Sequence, residues 1–484
     1  MDFDDAAFTG PKPPERCIQV RALALRLPGA QSLQELSSLW LAGAETQREV
    51  PLERWDLAEP LRSAWSRAFS VSGVWFRVGP GLQKQLSAWP RYYSSDFEFG
   101  KTSARHAAFL SSTQLLGPLP EQVLVLEVGA ACLAQAAEGC DVDVYVGDCA
   151  ESRSFDVTVA GRLAYEFGLR GEACTFDTAC SSSLVALGHA SARLRSGGVG
   201  ALVSGVRVLV GPDGFVGLGA GGFLGIHGRC LTFDGSANGF GRGEACSASF
   251  LAHSEELEIC GLLGAAVNQD GRSASLTAPN GPSQQHVIRA SLAAAGIEAE
   301  SLSLMECHGT GTSLGDPIEV GAVKNVVRGK RQPLLFTSSK SNQGHAEAAA
   351  GLTGFLKCVL MLQQSVCFAN VHLRVLNANL DTEAFPCLFG NEIADVGVNS
   401  QYLGVSSFGF GGTNARADLW GSCHTGPRSV QPSFESAACP RCGQEMCRTC
   451  GQPADGVTRL YHVCWLAGSS AACCFACGSD SESD

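Results

Sequence analysis

The first sustained apolar run is Cys17 to Leu25, broken only by Gln19 and Arg21. Its length, and the Arg26-Leu27-Pro28-Gly29 turn behind it, predict a buried strand. Ser32 to Leu41 then switches to the spacing of an amphipathic helix, and Val50 to Asp56 reads as a loop. Val123 to Ala136 is a largely apolar helix, Val142 to Gly147 alternates like a strand, and Val157 to Phe167 is helical again. Ala173 to Thr178 predicts a short strand running directly into Cys180. From Ser181 onward, Leu184, Leu187, Ala190 and Leu194 share one helical face, and Ala201 to Val210 predicts a buried strand. Strands and helices alternate from there to Asp418, which predicts a layered α/β fold with a mixed sheet.

Composition supports a large packed core: 45% of the 484 residues are apolar, 17% are charged, and 57 are glycine. A net charge of −12 argues against a nucleic-acid binder. No stretch approaches the roughly eighteen unbroken apolar residues of a membrane span. The acidic N-terminus has no apolar run behind it and so does not resemble a signal peptide. A cytoplasmic location is the expectation. Residues 1–15 read as a flexible arm and 421–438 as a Gly/Ser/Pro-rich linker.

Of the 22 cysteines, eight lie between Cys439 and Cys477; the others are scattered singly, as reduced buried thiols are. The tail, 439–484, reads Cys439-x2-Cys442-x4-Cys447-x2-Cys450, then His462-x-Cys464, then Cys473-Cys474-x2-Cys477. Such spacing suits structural zinc, either as two separate tetrahedral sites or cross-braced. A segment this short has little core, so metal would have to fold it, and recruitment of a protein partner is its expected role.

Four segments carry chemistry. Cys180 stands in Asp177-Thr178-Ala179-Cys180-Ser181-Ser182-Ser183-Leu184. Downstream come Glu306-Cys307-His308-Gly309-Thr310-Gly311-Thr312 and Lys340-Ser341-Asn342-Gln343-Gly344-His345. The fourth is the glycine-rich run from Gly404 to Asn414. One thiol, two imidazoles and one ammonium suit carbon–carbon bond formation through a thioester. As the first helical residue after a strand, Cys180 would sit at the positive end of a helix dipole, which favours thiolate.

Together these segments resemble the β-ketoacyl synthases (ketosynthases) of polyketide and fatty acid assembly, over roughly residues 16–420. Asn268 to Arg272, Leu276 to Gln284 and Cys230 to Asp234 resemble the modular polyketide (or animal fatty acid synthase) branch more than the stand-alone bacterial fatty acid enzymes. The resemblance implies a thiolase-like fold: two βαβαβαββ halves, 16–252 and 253–420, in a five-layer α-β-α-β-α arrangement. That internal duplication is not visible in the sequence. The resemblance also implies roles. Cys180 accepts the acyl chain; His308 and His345 promote decarboxylation of a malonyl thioester; Lys340 supports them. The backbone N–H groups of Phe410 and Cys180 bind the thioester oxygen. Thr310 and Thr312 hold a phosphopantetheine arm. Asn342, Glu347, Gly409 and Gly411 complete the substrate side, with Glu347 holding the local hydrogen-bond network. Catalysis would need no cofactor beyond the phosphopantetheine of an acyl carrier protein. With no further catalytic or carrier motif after the linker, that carrier is expected in trans, and a homodimer is expected.

The chain also departs from the family pattern. Ala22 stands where Gly is usual, Arg207 replaces Asn, Gln343 replaces Ile and Arg416 replaces His. Leu119-Pro120-Glu121-Gln122-Val123 replaces a usual Asp-Pro-Gln-Gln-Arg, and the loop from Gly147 to Gly161 is short. Two rival readings remain: acyl transfer without elongation, and a scaffold acting through its zinc tail.

Overall fold

The computed structural model describes residues 17–49, 106–110, 120–136 and, with short breaks, 139–422. Beyond these it describes the backbone of two short strand pairs, Phe69–Val71 with Val74–Phe76 and Ser436–Ala438 with Glu445–Cys447. The 1–15 arm, the Val50–Asp56 loop, most of the 421–438 linker and the side chains of all the tail's candidate ligands lie outside the described residues.

Ile18–Arg26 forms β1, with all but two of its nine residues buried. A strand covered on both faces reads as a continuous apolar run rather than an alternating one, as here. It joins ten others in one sheet. These are β2 (Val142–Asp148), β3 (Ala173–Phe176), β4 (Gly200–Arg207), β5 (Ala245–His253) and β6 (Cys260–Gln269). The rest are β7 (Leu302–Glu306), β8 (Leu334–Thr337), β9 (Cys387–Phe389), β10 (Ser400–Phe408) and β11 (Thr413–Ser422).

Their order is β9-β8-β7-β10-β11-β6-β1-β5-β4-β2-β3. Within β1 to β5 the order is third, second, fourth, fifth, first. The strands β6, β7, β8, β10 and β11 repeat it, with β9 added outside β8. In both halves the fifth strand is antiparallel to its two neighbours, while the fourth, second and third run parallel. The duplication hidden in the sequence is therefore plain in the topology. The halves meet through a short antiparallel contact in which Ile18–Val20 of β1 face Cys260–Leu262 of β6.

Two helices lie between the half-sheets. Helix α4 (Ser182–Arg195) packs on β2 and β4 of one half and on β6 and β11 of the other. Ala350–Gln364, the last long helix, packs on β10 and β11, on β4 and β5, and on α4. Every residue from Ala350 to Leu362 is buried, as an all-round apolar helix requires. Outside these lie α2 (Pro120–Ala136) and α3 (Val159–Phe167) on one sheet, with α5 (Gly281–Ala295) and α6 (Gly315–Val326) on the other. Counting α1 (Leu33–Leu41), α7 (Lys340–Gln343) and α8 (Ala350–Gln364), the elements stack as α-β-α-β-α. Local caps fit the sequence: Ser32, Thr158 and Asn280 each accept a backbone N–H from the first turn of α1, α3 and α5. Among the described residues no helix is long and apolar enough to cross a membrane.

The replacement at Arg416 has a partner. Arg416 and Asp418 lie two apart on the same face of β11, both fully buried, and Arg416 Nη2 and Nε donate to the two Asp418 oxygens at 2.6 and 3.3 Å. Gly404 faces Asp418 on β10 and leaves room for the guanidinium: a Cβ there would lie 2.0 Å from Arg416 Nη2. Asp418→Ala strands a buried charge and is expected to cost about 3–5 kcal/mol in denaturant unfolding. Replacing Arg416 and Asp418 together by leucines should cost far less, because no charge is then left unpaired.

Candidate functional site

The site is built at the start of α4. The expectation that Cys180 opens that helix needs correction. Ala179–Ser181 form a 3₁₀ turn, and the α-helix begins at Ser182. Ala179 takes φ 52°, a conformation unfavourable for any residue with a side chain. Hydroxyls hold the turn. Ser182 Oγ donates to the Ala179 carbonyl at 2.6 Å and accepts the Thr178 N–H at 2.9 Å; Ser181 Oγ donates to the Thr178 carbonyl at 3.0 Å. Ser181 and Ser182 thus form the scaffold of the turn. Ser183 Oγ also accepts the Leu352 N–H of α8, tying the two central helices together at the site.

The glycine-rich run packs on the same turn. Ser407 Oγ donates to the Cys180 carbonyl at 2.7 Å. Gly409 has no room for a side chain: a Cβ would lie 2.3 Å from the Thr178 carbonyl oxygen. This close approach sets Phe410 beside the Cys180 turn, and the backbone N–H groups of Phe410 and of Cys180 itself favour the ionised sulfur. Gly411 follows Phe410 at the exposed tip of that loop. The Phe410 ring is half exposed and stands edge-on to Phe223, centroids 4.7 Å apart.

Both imidazoles enter from the second half. Their rings are perpendicular, with centroids 5.4 Å apart. His308 follows β7 and His345 follows α7. His308 Nδ1 accepts the Phe408 N–H at 3.3 Å, and His345 Nδ1 accepts the Glu347 N–H at 3.2 Å. Burial, then the Lys340 ammonium, holds both imidazoles well below their ordinary range, so both are neutral. A neutral ring that accepts at Nδ1 carries its proton on Nε2. His345 Nε2 is buried and has no partner among the described residues. Lys340, 3% exposed, acts electrostatically on both imidazoles and on Cys180.

Burial pushes the Cys180 thiol up to about 12, and the Glu347 carboxylate adds to the effect; Lys340 and the two backbone N–H groups oppose it. Desolvation therefore outweighs the helix end, and the resting sulfur is a thiol, not the thiolate that a helix start would favour. Alkylation of Cys180 by a neutral reagent should accelerate about tenfold per pH unit from neutrality upward, with no plateau below pH 9, because the thiolate fraction rises in that proportion. A plateau near neutrality in a mass-spectrometric alkylation series would contradict this ordering of effects.

The other candidates have partners within the protein. Thr310 Oγ1 pairs with Thr312 Oγ1 at 3.3 Å, and Thr312 Oγ1 accepts the Gly315 N–H at 3.1 Å. Asn342 is buried and donates to the Ala44 carbonyl at 3.0 Å. Glu347, at φ 42°, has its carboxylate between Arg207 and Arg242, at 2.9 and 2.8 Å.

Two carboxylates escaped the sequence reading. Glu319 accepts the His308 and Gly309 N–H groups at 2.7 and 2.9 Å, while Asp316 accepts those of Gly311 and Phe233 at 3.1 and 2.8 Å. Burial pushes them up to about 7 and about 6 respectively. Their three-residue spacing on α6, directly after the His308 loop, was the available signal: it puts both on one helix face. A third group lies behind α7. Lys357 Nζ pairs with Glu306 at 3.2 Å, and Glu306 accepts the Ser339 N–H at 2.6 Å, which anchors the segment bearing Lys340. Among the described residues no group of three or more side chains is arranged to hold a metal ion.

Two family models match the chain: "Beta-ketoacyl synthase, N-terminal domain" over residues 129–256 and "Beta-ketoacyl synthase, C-terminal domain" over residues 259–374. Polyketide synthase GfsA of Streptomyces halstedii is 42% identical over 434 residues, 83% of this chain and 6% of its own length. Partially reducing polyketide synthase men1 of Menisporopsis theobromae is 33% identical over 442 residues, 83% of this chain and 16% of its own. The chain thus spans a small part of these relatives. Among solved structures, the oxazolomycin ketosynthase domain OzmH KS7 of Streptomyces albus superposes with a TM-score of 0.74 at 26% identity, covering 85% of this chain and 76% of that one. The ketosynthase from module 6 of the Bacillus subtilis bacillaene synthase gives 0.71 at 26% identity, covering 84% and 72%.

Proposed function

This chain belongs to the β-ketoacyl synthase family, and from that premise we propose that it condenses an acyl chain held on Cys180 with a malonyl unit. The observation that carries the proposal is the pairing of one thiol, flanked by two backbone donors, with two neutral imidazoles whose Nδ1 atoms are already committed. Two imidazoles beside one thiol suit loss of carbon dioxide, where the need is to hold an enolate oxygen rather than to remove a proton.

In the first half-reaction the Cys180 sulfur attacks the thioester of an acyl carrier protein. The tetrahedral oxygen is held by the N–H groups of Cys180 and Phe410, and the phosphopantetheine thiol leaves with the proton lost from sulfur. A malonyl carrier protein then enters. Its C–C bond to the carboxylate breaks, carbon dioxide departs, and the enolate oxygen is held by Nε2–H of His308 and of His345. The enolate carbon attacks the acyl carbonyl on Cys180, and the sulfur leaves as thiolate. A β-ketoacyl chain two carbons longer remains on the second carrier. Lys340 supports the negative charge throughout.

The carrier protein acts in trans, and Thr310 and Thr312 border the path of its phosphopantetheine arm. A second copy of the chain completes a homodimer. The tail from Cys439 to Cys477 binds zinc structurally. These points extend the same proposal. Its test is intact-mass spectrometry with acyl and then malonyl carrier proteins. An acyl adduct followed by a β-ketoacyl product is expected. An adduct that never condenses would replace elongation by acyl transfer; no adduct with any chain length would sink the condensing reading.

A further inference from the structure

His345 is held from two sides. Its backbone N–H donates to the Gly241 carbonyl at 2.6 Å, and its carbonyl accepts the Gly243 N–H at 2.9 Å. Its ring is set separately, by the Glu347 N–H on Nδ1. That N–H depends on Glu347 keeping φ 42°, a left-handed conformation that side-chain-bearing residues rarely adopt. Something must hold Glu347 there. Arg242 Nε takes one carboxylate oxygen at 2.8 Å, and Arg207 Nη2 takes the other at 2.9 Å. Arg207 comes from the end of β4 and is 3% exposed. Its Nη1 donates to the Cys149 carbonyl at 2.6 Å, just beyond β2. The guanidinium is therefore fixed at both ends. It occupies one of the positions where this chain departs from the family pattern.

We propose that Arg207 is a positioning residue for the condensation: by clamping the Glu347 carboxylate against Arg242, it keeps the Glu347 N–H on His345 Nδ1 and so presents His345 Nε2–H to the enolate oxygen. The inference rests on the reaction proposed above, and it deepens that reading by naming what sets the His345 tautomer. Arg207 touches none of the reacting atoms; it acts through Glu347.

The charged and titratable groups around His345 are Lys340, Arg242, Arg207, Glu347 and His308. The first three hold its pKa down after burial does. Removing Arg207 takes away one of these cations, so the His345 pKa should rise toward the ordinary imidazole value and the acid limb of condensation should move to higher pH.

The test uses the full chain with Arg207→Gln and Arg207→Lys. Prolonged loading first brings each variant to the acyl-enzyme, so that loading rate drops out, and malonyl carrier protein is then added. Condensation by Arg207→Gln should fall roughly 10- to 100-fold, the range seen when an orienting partner is removed. Arg207→Lys should recover part of the loss, since it keeps the charge without the two-pronged donor geometry. In parallel, ¹⁵N-histidine NMR should show His345 as the Nε2–H tautomer in the wild type and as a mixture in Arg207→Gln. Condensation at the wild-type rate, or an unchanged tautomer and pH profile, overturns the proposal. A Gln variant that loses loading, condensation and melting temperature together, while Lys restores all three with no change at His345, also overturns it, because Arg207 is then structural only. Were the wild type itself unable to condense, the functional reading would fall, and the tautomer shift would still report the clamp alone.

Discussion

Cys180→Ala will form no acyl adduct and will release no β-ketoacyl product. The proposed chemistry runs through a covalent bond to that sulfur, so its loss removes the path rather than slowing it. The expected fall in condensation is on the order of 10³-fold or more, equivalent to a barrier about 4 kcal/mol or more higher. The fold should be undisturbed. The Cys180 turn is held by the hydroxyls of Ser181, Ser182 and Ser407 and by backbone groups, none of which uses the sulfur. Intact mass after incubation with acyl carrier protein, beside a melting curve, reads both statements. An adduct of undiminished yield on the alanine variant would place the acyl chain on another thiol and would sink the assignment. Cys149 would then be the first to examine, since Cys180 is among the groups that raise its thiol's pKa.

What the sequence revealed about this site was its chemistry, because the reacting groups stand in short segments whose residue types are dictated locally. The strand before the thiol, the glycine loops around His308 and the run at Phe410 could all be placed by pattern alone. Boundaries were less legible. The reading that Cys180 begins a helix missed the 3₁₀ turn, because Ala179 at φ 52° carries no local signal. Alanine is an ordinary helix former, and only the packing of Gly409 and the serine hydroxyls imposes the turn. The thiol's protonation state was misjudged for the same reason. The dipole argument is local, whereas desolvation depends on what the second half of the molecule brings over the sulfur.

The duplication was invisible for a different reason. The two halves share a strand order, and strand order is set by pairings between distant segments that no local pattern reveals. Paired replacements were equally hidden. Arg416 looked like a lost histidine until Asp418 and Gly404 appeared around it, and Arg207 looked like a drifted position until Glu347 was found against it. Each substitution makes sense only with a partner, Asp418 two residues along the same strand for Arg416 and the distant Glu347 for Arg207.

His345→Ala is the second large effect, and it should separate the two half-reactions. Condensation should fall about 10²- to 10³-fold, the loss typical of one donor to a developing oxyanion, or about 2.7–4 kcal/mol. Acyl loading on Cys180 should change far less, since in the proposed mechanism the thioester oxygen rests on the N–H groups of Cys180 and Phe410 rather than on the imidazole. His308→Ala should behave alike. The double variant should be little worse than either single one, because two donors to one oxygen act as a unit. The wild-type pH profile supplies the companion evidence. Both imidazoles lie well below the usual 6.5, held there first by burial and then by Lys340. Protonation would put a second N–H on Nδ1, facing the backbone N–H of Phe408 or Glu347. Condensation should therefore be flat from neutrality down to pH 6.5 as far as these groups are concerned, and should be lost only as pH falls further. The stability sign agrees: a histidine neutral in the fold contributes fully above its unfolded pKa and loses that contribution as pH drops through the folded one. If His345→Ala were to abolish loading together with condensation, the two imidazoles would belong to the activation of Cys180, and the division of labour argued from their Nδ1 partners would be wrong.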